Sequence, residues 1–145
     1  MDNGCGVMGP PLTIPNVALQ NLVAILRTAF ERNWTKNSQS LDANLASVHS
    51  KAENDFLLSL LNVSSHAYIG GHYGEQDGQW LRSDGTTFDY TNWYTTEPNN
   101  NGGPENCLEI NWASNRCWND LSCSFATGYI CAKASHTLEI LKAVL

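Results

Sequence analysis

Apolar residues recur at Val17, Leu19, Leu22, Val23, Leu26 and Phe30, a spacing that predicts a helix over residues 16–30 with Asn16 as its N-cap. Residues 41–48 read as a short buried segment. Ser50, followed three residues later by Glu53, has the form of a capping box. The helix it opens should bury Phe56, Leu57, Leu60 and Leu61 and stop near Asn62. After that the period changes. Strands are expected over residues 67–71, ending in two glycines, and over 79–82, turning at Ser83-Asp-Gly85. Residues 88–93 alternate aromatic and polar side chains, 107–112 alternate again, 116–118 are short, and 128–133 form a last strand. Between them, residues 95–106 contain no periodic apolar position and read as a loop of about a dozen residues, a length uncommon without a function. Residues 135–145 return to helical spacing through Leu138, Leu141 and Val144. Helices ahead of a set of short strands give an α+β domain with mixed or antiparallel sheets.

Composition narrows the class. The chain has 145 residues, 42% apolar and 15% charged, enough for one domain with a true core. Its net charge of −6, with no basic run, argues against nucleic acid as a partner. No stretch approaches the roughly 20 apolar residues of a membrane span. Residues 17–26 are broken by Gln20 and Asn21, and read as a weak helix rather than a signal peptide.

Five cysteines, Cys5, Cys107, Cys117, Cys123 and Cys131, follow no CxxC or zinc-finger spacing. A disulfide framework, and with it an oxidising compartment, is the better reading. The odd count leaves at least one thiol free or bridging chains in a homo-oligomer. The triplets Asn33-Trp-Thr35 and Asn62-Val-Ser64 are sequons compatible with secretion. The histidines His49, His66, His72 and His136 are scattered and no serine sits in a nucleophile elbow, so no enzymatic role is expected.

The chemistry concentrates in the long loop, Glu97-Pro-Asn-Asn-Asn-Gly-Gly-Pro-Glu-Asn-Cys107, and in Trp118-Asn-Asp120. Glu97, Glu105 and Asp120 offer three carboxylates, and Asn99 and Asn119 two amides. All are oxygen donors, which suits calcium with its 6–8 oxygen ligands better than the stricter octahedron of magnesium. The absence of His and Cys from the set disfavours zinc and copper. Taken alone, Glu-Pro-Asn is what many loops are made of; the joint pattern is far more specific.

That joint pattern resembles the C-type lectin family, closest to the small secreted lectins of fishes. Glu-Pro-Asn is followed by Glu-Asn-Cys, then by Trp-Asn-Asp with a Cys three residues on. The likeness extends to Leu45-Ala-Ser-Val-His49, Tyr68-Ile-Gly-Gly71, Trp80, Ser83-Asp-Gly85, Asn92-Trp93 and Tyr129-Ile-Cys-Ala-Lys133. The resemblance implies two helices, two small mostly antiparallel sheets and a long calcium-binding loop. It implies a domain over residues 36–134, with an atypical segment over 1–35 and an extension over 135–145. It further implies a cis bond between Glu97 and Pro98, one calcium ion held by Glu97, Asn99, Glu105, Asn119 and Asp120, and a Cys107–Cys123 disulfide. The same five residues would bind vicinal equatorial hydroxyls of mannose-type sugars, such as glycans of microbial surfaces met in innate immunity. Glu97 with Asn99, and Glu105 with Asn119, would form the donor and acceptor pairs. Trp118 would anchor its strand in the core. A second calcium site is not expected, because its positions fall on Tyr73, Asp77, Asn100 and Asn106. The family partners of Cys131 and Cys117 fall on Ser38 and Tyr94. A non-sugar module binding ice or protein is the alternative.

Overall fold

A computed structural model describes residues 22–27, 43–74 and 79–134, the first segment and the last two residues as backbone only. In chain order the elements are β1 (Leu22–Arg27), β2 (Asn44–Leu45), α1 (Lys51–Ser59), β3 (Ala67–Tyr73), β4 (Trp80–Arg82), β5 (Cys107–Trp112), β6 (Cys117–Leu121) and β7 (Gly128–Ala134). The α+β class holds, with one helix among the described residues. No described helix is long and apolar enough to cross a membrane.

The helix expected over residues 16–30 is corrected where it can be tested: Leu22–Arg27 is a strand, antiparallel to β7 with Leu22 opposite Ala134 and Arg27 opposite Tyr129. A short apolar run containing Val and Ile fits either element, and pairing along the length of β7 decides it. The rest of that segment, the helical spacing over 135–145, and Cys5, Asn33, Ser38, Asp77 and His136 lie outside the described residues.

Helix α1 starts as expected. The Ser50 hydroxyl accepts the N–H of Glu53, and the Glu53 carboxylate accepts the N–H of His49, one residue ahead of the cap. It ends earlier, at Ser59, and its buried side chains are Asn54, Leu57 and Leu58; Leu61 is buried just beyond it, while Phe56 and Leu60 are only half-buried. Arg116 and Asn111 explain the ending. Arg116 Nη2 donates to the carbonyls of Leu58 (2.6 Å) and Leu61 (3.1 Å), and its Nε donates to Asn111 Oδ1 (2.6 Å). Asn111 Nδ2 in turn donates to the carbonyls of Asn62 (2.8 Å) and Ser65 (2.6 Å). These bonds tie the last turn of α1 and the turn after it to the β5–β6 hairpin.

The two small sheets expected are one sheet in the structure, running β1-β7-β3-β5-β6, with β2 added to β7 and β4 to β3. Two antiparallel groups are still recognisable. They are joined by only two parallel pairs, Ala67 with Gly128 and Tyr68 with Tyr129. The β3–β5 ladder shifts register between Ile69 and His72, at the two glycines. A Cβ on Gly70 would lie 2.7 Å from the Leu45 carbonyl oxygen, so β3 approaches the β2 segment more closely than any side chain allows.

The core is built from Ala46, Val48, Leu57, Leu58, Ile69, Leu108, Ile110, Trp118 and Ile130. Trp118 is fully buried at its centre and, as expected, is an anchor. Its Nε1 donates to Asn54 Oδ1 (2.8 Å), and Phe88, Tyr90 and Trp93 meet it edge-on with ring centroids 5.7–6.2 Å away. Residues 88–93, whose alternation suggested a strand, contribute a single bridge from Trp93 to Trp118. Their rings cover the core instead of extending the ladder.

Candidate functional site

Strand β6 and the loop over residues 95–106 are fastened together at both ends of the loop. At its start, Asn92 and Tyr94 run parallel to Trp118. The Trp118 N–H donates to the Asn92 carbonyl (2.8 Å), and the Tyr94 N–H donates to the Trp118 carbonyl (2.9 Å). This brings Glu97 toward the end of β6. At its finish, the loop enters β5 at Cys107, which pairs with Leu121 across the ladder and is disulfide-bonded to Cys123, Cα to Cα 5.2 Å. Cys117 is also disulfide-bonded.

Within this frame the Glu97–Pro98 bond is cis, as the resemblance implied. Asn100, Gly102 and Gly103 have φ of 51°, 88° and 147°, so the loop folds back through backbone conformations that suit Asn and Gly. Asp120, with no exposed surface, accepts the N–H of Asn99 (3.0 and 3.2 Å) and of Asn100 (2.9 Å). Asn99 Oδ1 and Glu105 Oε2 both accept the N–H of Asn101, at 2.7 and 2.8 Å, and Asn100 Oδ1 accepts the N–H of Glu105 (3.0 Å). The loop is thus organised around the acceptors that the sequence singled out.

Four of the five expected donors, Glu97, Asn99, Glu105 and Asp120, therefore share one small region. Their charges are uncompensated by any cationic side chain among the described ion pairs. Glu97 shows the consequence. Its Oε2 is buried without a hydrogen-bond partner. Burial, the adjoining carboxyl group of Asp120 and the charge of Glu105 push its carboxyl up to about 7, against a smaller opposing hydrogen bond from Thr96. Glu105 is also raised, by burial first and by Asp120, with the Asn101 N–H opposing. Among the described residues no three of His, Cys, Asp and Glu meet as a ready-made metal cluster. The side chains of Asp120 and Asn99 are turned instead toward loop N–H groups.

Asn119, the fifth expected donor, sits on β6 beside Asp120. Cross-strand register sets it directly opposite Glu109, and its Nδ2 donates to Glu109 Oε1 (2.9 Å). Glu109 is 1% exposed and also lies 3.2 Å from His66 Nδ1. Burial raises its carboxyl, opposed by Asn119 and His66. The sequence reading missed Glu109. Its only signal was an acid in the middle of a strand whose flanking positions, Leu108 and Ile110, are both apolar. Of the positions assigned to a second calcium site, Asn100 and Asn106 serve the loop backbone, the latter through its carbonyl to the Tyr73 N–H (3.0 Å).

A buried-tryptophan sheet bearing a disulfide-braced acidic loop with a cis Glu-Pro bond defines a C-type lectin-like domain. The chain belongs to the C-type lectin family: the Lectin C-type domain matches residues 32–133. It is 45% identical to ladderlectin of Oncorhynchus mykiss over 108 residues, covering 68% of this chain. The chain spans 57% of ladderlectin's own length, rather more than half. Among solved structures, the carbohydrate-recognition domain of cow CD23, determined in the presence of a GlcNAc2Man3 oligosaccharide, superposes with TM-score 0.68 at 27% identity, covering 80% of this chain and 90% of that one. A calcium-independent type II antifreeze protein superposes with TM-score 0.70 at 30% identity, covering 79% and 87%. Domains of this family are binding modules, and the chain is not an enzyme.

Proposed function

We propose that the loop over residues 95–106, with the end of β6, binds one calcium ion and through it mannose-type sugars. The observation that carries this reading is Glu97 Oε2, a buried carboxylate oxygen with no donor, set against Asp120 and near Glu105. Three carboxylates gathered without a counter-charge are costly unless a cation joins them. The donor set is all oxygen, which fits calcium. Glu97, Asn99, Glu105, Asn119 and Asp120 would hold the ion, which would supply coordination positions for two adjacent sugar hydroxyls.

The chain's own residues would then do the recognising. Carboxylates of Glu97 and Glu105 accept from the hydroxyls, and the amide of Asn99 donates to one. Glu109 keeps the amide of Asn119 oriented. The side chains at the loop tip, Asn99 to Pro104, are exposed, so a single site is shallow and its affinity weak. The disulfides support an extracellular setting.

Similarity to antifreeze proteins favours ice binding by the same loop as a second reading. One sample separates them. Calcium-dependent retention on mannose-agarose with release by chelator is expected, with no thermal hysteresis. Full calcium binding with no retention on any sugar would overturn the lectin reading, and hysteresis would establish the second.

A further inference from the structure

We infer that Asn62 is a site of N-linked glycosylation, an assignment independent of whether the loop binds sugar. The triplet Asn62-Val63-Ser64 has the acceptor form, with no proline at its centre. The folded domain presents it openly. All three residues are exposed, and Val63, at 76%, is the most exposed large apolar side chain among the described residues. They form the turn that follows α1, closed by the Ser65 N–H donating to the Asn62 carbonyl (3.0 Å).

The backbone and side chain of Asn62 have separate roles. Its carbonyl is held by Asn111 Nδ2 (2.8 Å), whereas its side-chain amide has no hydrogen bond to any described residue. A glycan on that amide displaces no bond of the fold. Its first sugar has the apolar surface of Val63 beside it to cover.

Position favours the modification too. Asn111, which holds the turn, lies near the Trp112 end of β5, while the acidic loop enters β5 at Cys107. At about 3.3 Å per residue, the six-residue strand separates them by roughly 15–20 Å. A glycan at Asn62 leaves the acidic loop uncovered.

The transfer uses a lipid-linked oligosaccharide diphosphate, the co-reactant of the eukaryotic secretory route. The amide nitrogen of Asn62 forms a bond to the anomeric carbon. The bond from that carbon to the diphosphate oxygen breaks, the lipid diphosphate leaves with the electron pair, and the amide nitrogen gives up one proton to a base.

The test is to secrete the full chain from eukaryotic cells, remove glycans with an amidase in heavy-oxygen water, and map the resulting labelled Asp by peptide mass spectrometry. Label at position 62 is expected, absent in Ser64→Ala and increased in Ser64→Thr, since threonine makes the stronger acceptor. Ser64→Ala keeps Asn62 and its carbonyl contact, so its effect is separate from any loss of folding in Asn62→Gln. A secreted chain with an unlabelled Asn62 peptide in both the parent and Ser64→Thr would overturn the assignment, whether or not the Asn33 peptide is labelled.

Discussion

Asp120 reaches across 20 residues of sequence to hold the backbone of Asn100 at 2.9 Å, and grips the neighbouring Asn99 N–H with both oxygens. One buried carboxylate therefore shapes the loop that it also helps to charge. Removing it in Asp120→Ala frees two loop N–H groups. Hydrogen bonds to charged groups contribute about 1.5–3 kcal/mol each, less here because the freed groups reach water. The expected result is complete loss of calcium-dependent retention on mannose, with a stability loss of about 1–3 kcal/mol in urea titration. Retention equal to the parent's would show that the metal lies elsewhere.

Acidity should act in opposite senses on the calcium-free and calcium-bound protein. Glu97 has a carboxyl raised from an ordinary 4.5 to about 7, so the folded calcium-free chain takes up a proton there. The stability this contributes is fully present below about 4.5 and is lost as pH rises through about 7. In chelator, this group should therefore make the domain less stable at pH 8 than at pH 6. Calcium must displace that proton, so its affinity should climb over the same interval. Titration calorimetry in buffers of different ionisation enthalpy should find a proton released near pH 6 and almost none near pH 8.5. Equal proton release at both would count against Glu97 as a ligand.

Glu109 touches no exposed part of the loop, yet it fixes the amide of Asn119 and should matter to the metal. Glu109→Ala is expected to weaken calcium binding by about 10–100-fold, the usual effect of losing a group that orients a ligand. Glu109→Gln retains an acceptor for Asn119 Nδ2 and should recover most of the affinity. Equal losses in the two variants would mean that the charge of Glu109, and not its orienting bond, is what counts.

Sugar preference should follow the donor and acceptor pattern of the loop. The double variant Glu97→Gln with Asn99→Asp exchanges an acceptor for a donor at position 97 and a donor for an acceptor at position 99. On a glycan array, preference should move from mannose toward galactose. An unchanged preference for mannose would remove this pair from the specificity determinants.

Gly70 predicts a fold defect with no binding signature of its own. Its substitution by alanine drives a methyl to within 2.7 Å of one backbone carbonyl oxygen and 3.1 Å of the next. Neither can rotate aside, so about 1–3 kcal/mol of strain is expected, read as a drop of several degrees in Tm. At Gly85 a Cβ meets nothing within 4 Å, so Gly85→Ala should carry no clash and only the strain of a side chain at φ 78°, about 1–2 kcal/mol.

What could be read from the chain in advance divides along physical lines. The Ser50–Glu53 helix start, the Gly70–Gly71 strand, the acidic loop and the Cys107–Cys123 bridge are written in local chemistry or in spacings that the family resemblance makes specific. Leu22–Arg27 was misread because its state depends on β7, more than a hundred residues away, and not on its own periodicity. Residues 88–93 alternate like a strand, yet Phe88, Tyr90 and Trp93 are drawn to the rings of Trp80 and Trp118. Glu109 was not legible as the partner of Asn119, since which acid faces that amide depends on the β5–β6 register, which pairs Glu109 with Asn119.

The fastening of the loop at Tyr94 and at Cys107 has an evolutionary consequence. Between those two clamps no residue is buried and none belongs to the core, so the segment can be rewritten without disturbing the sheet beneath it. Natural selection is thereby given a replaceable face on a frame that similar folds share. A frame of this kind can be inherited by descendants as unlike as a glycan-binding receptor and an antifreeze protein.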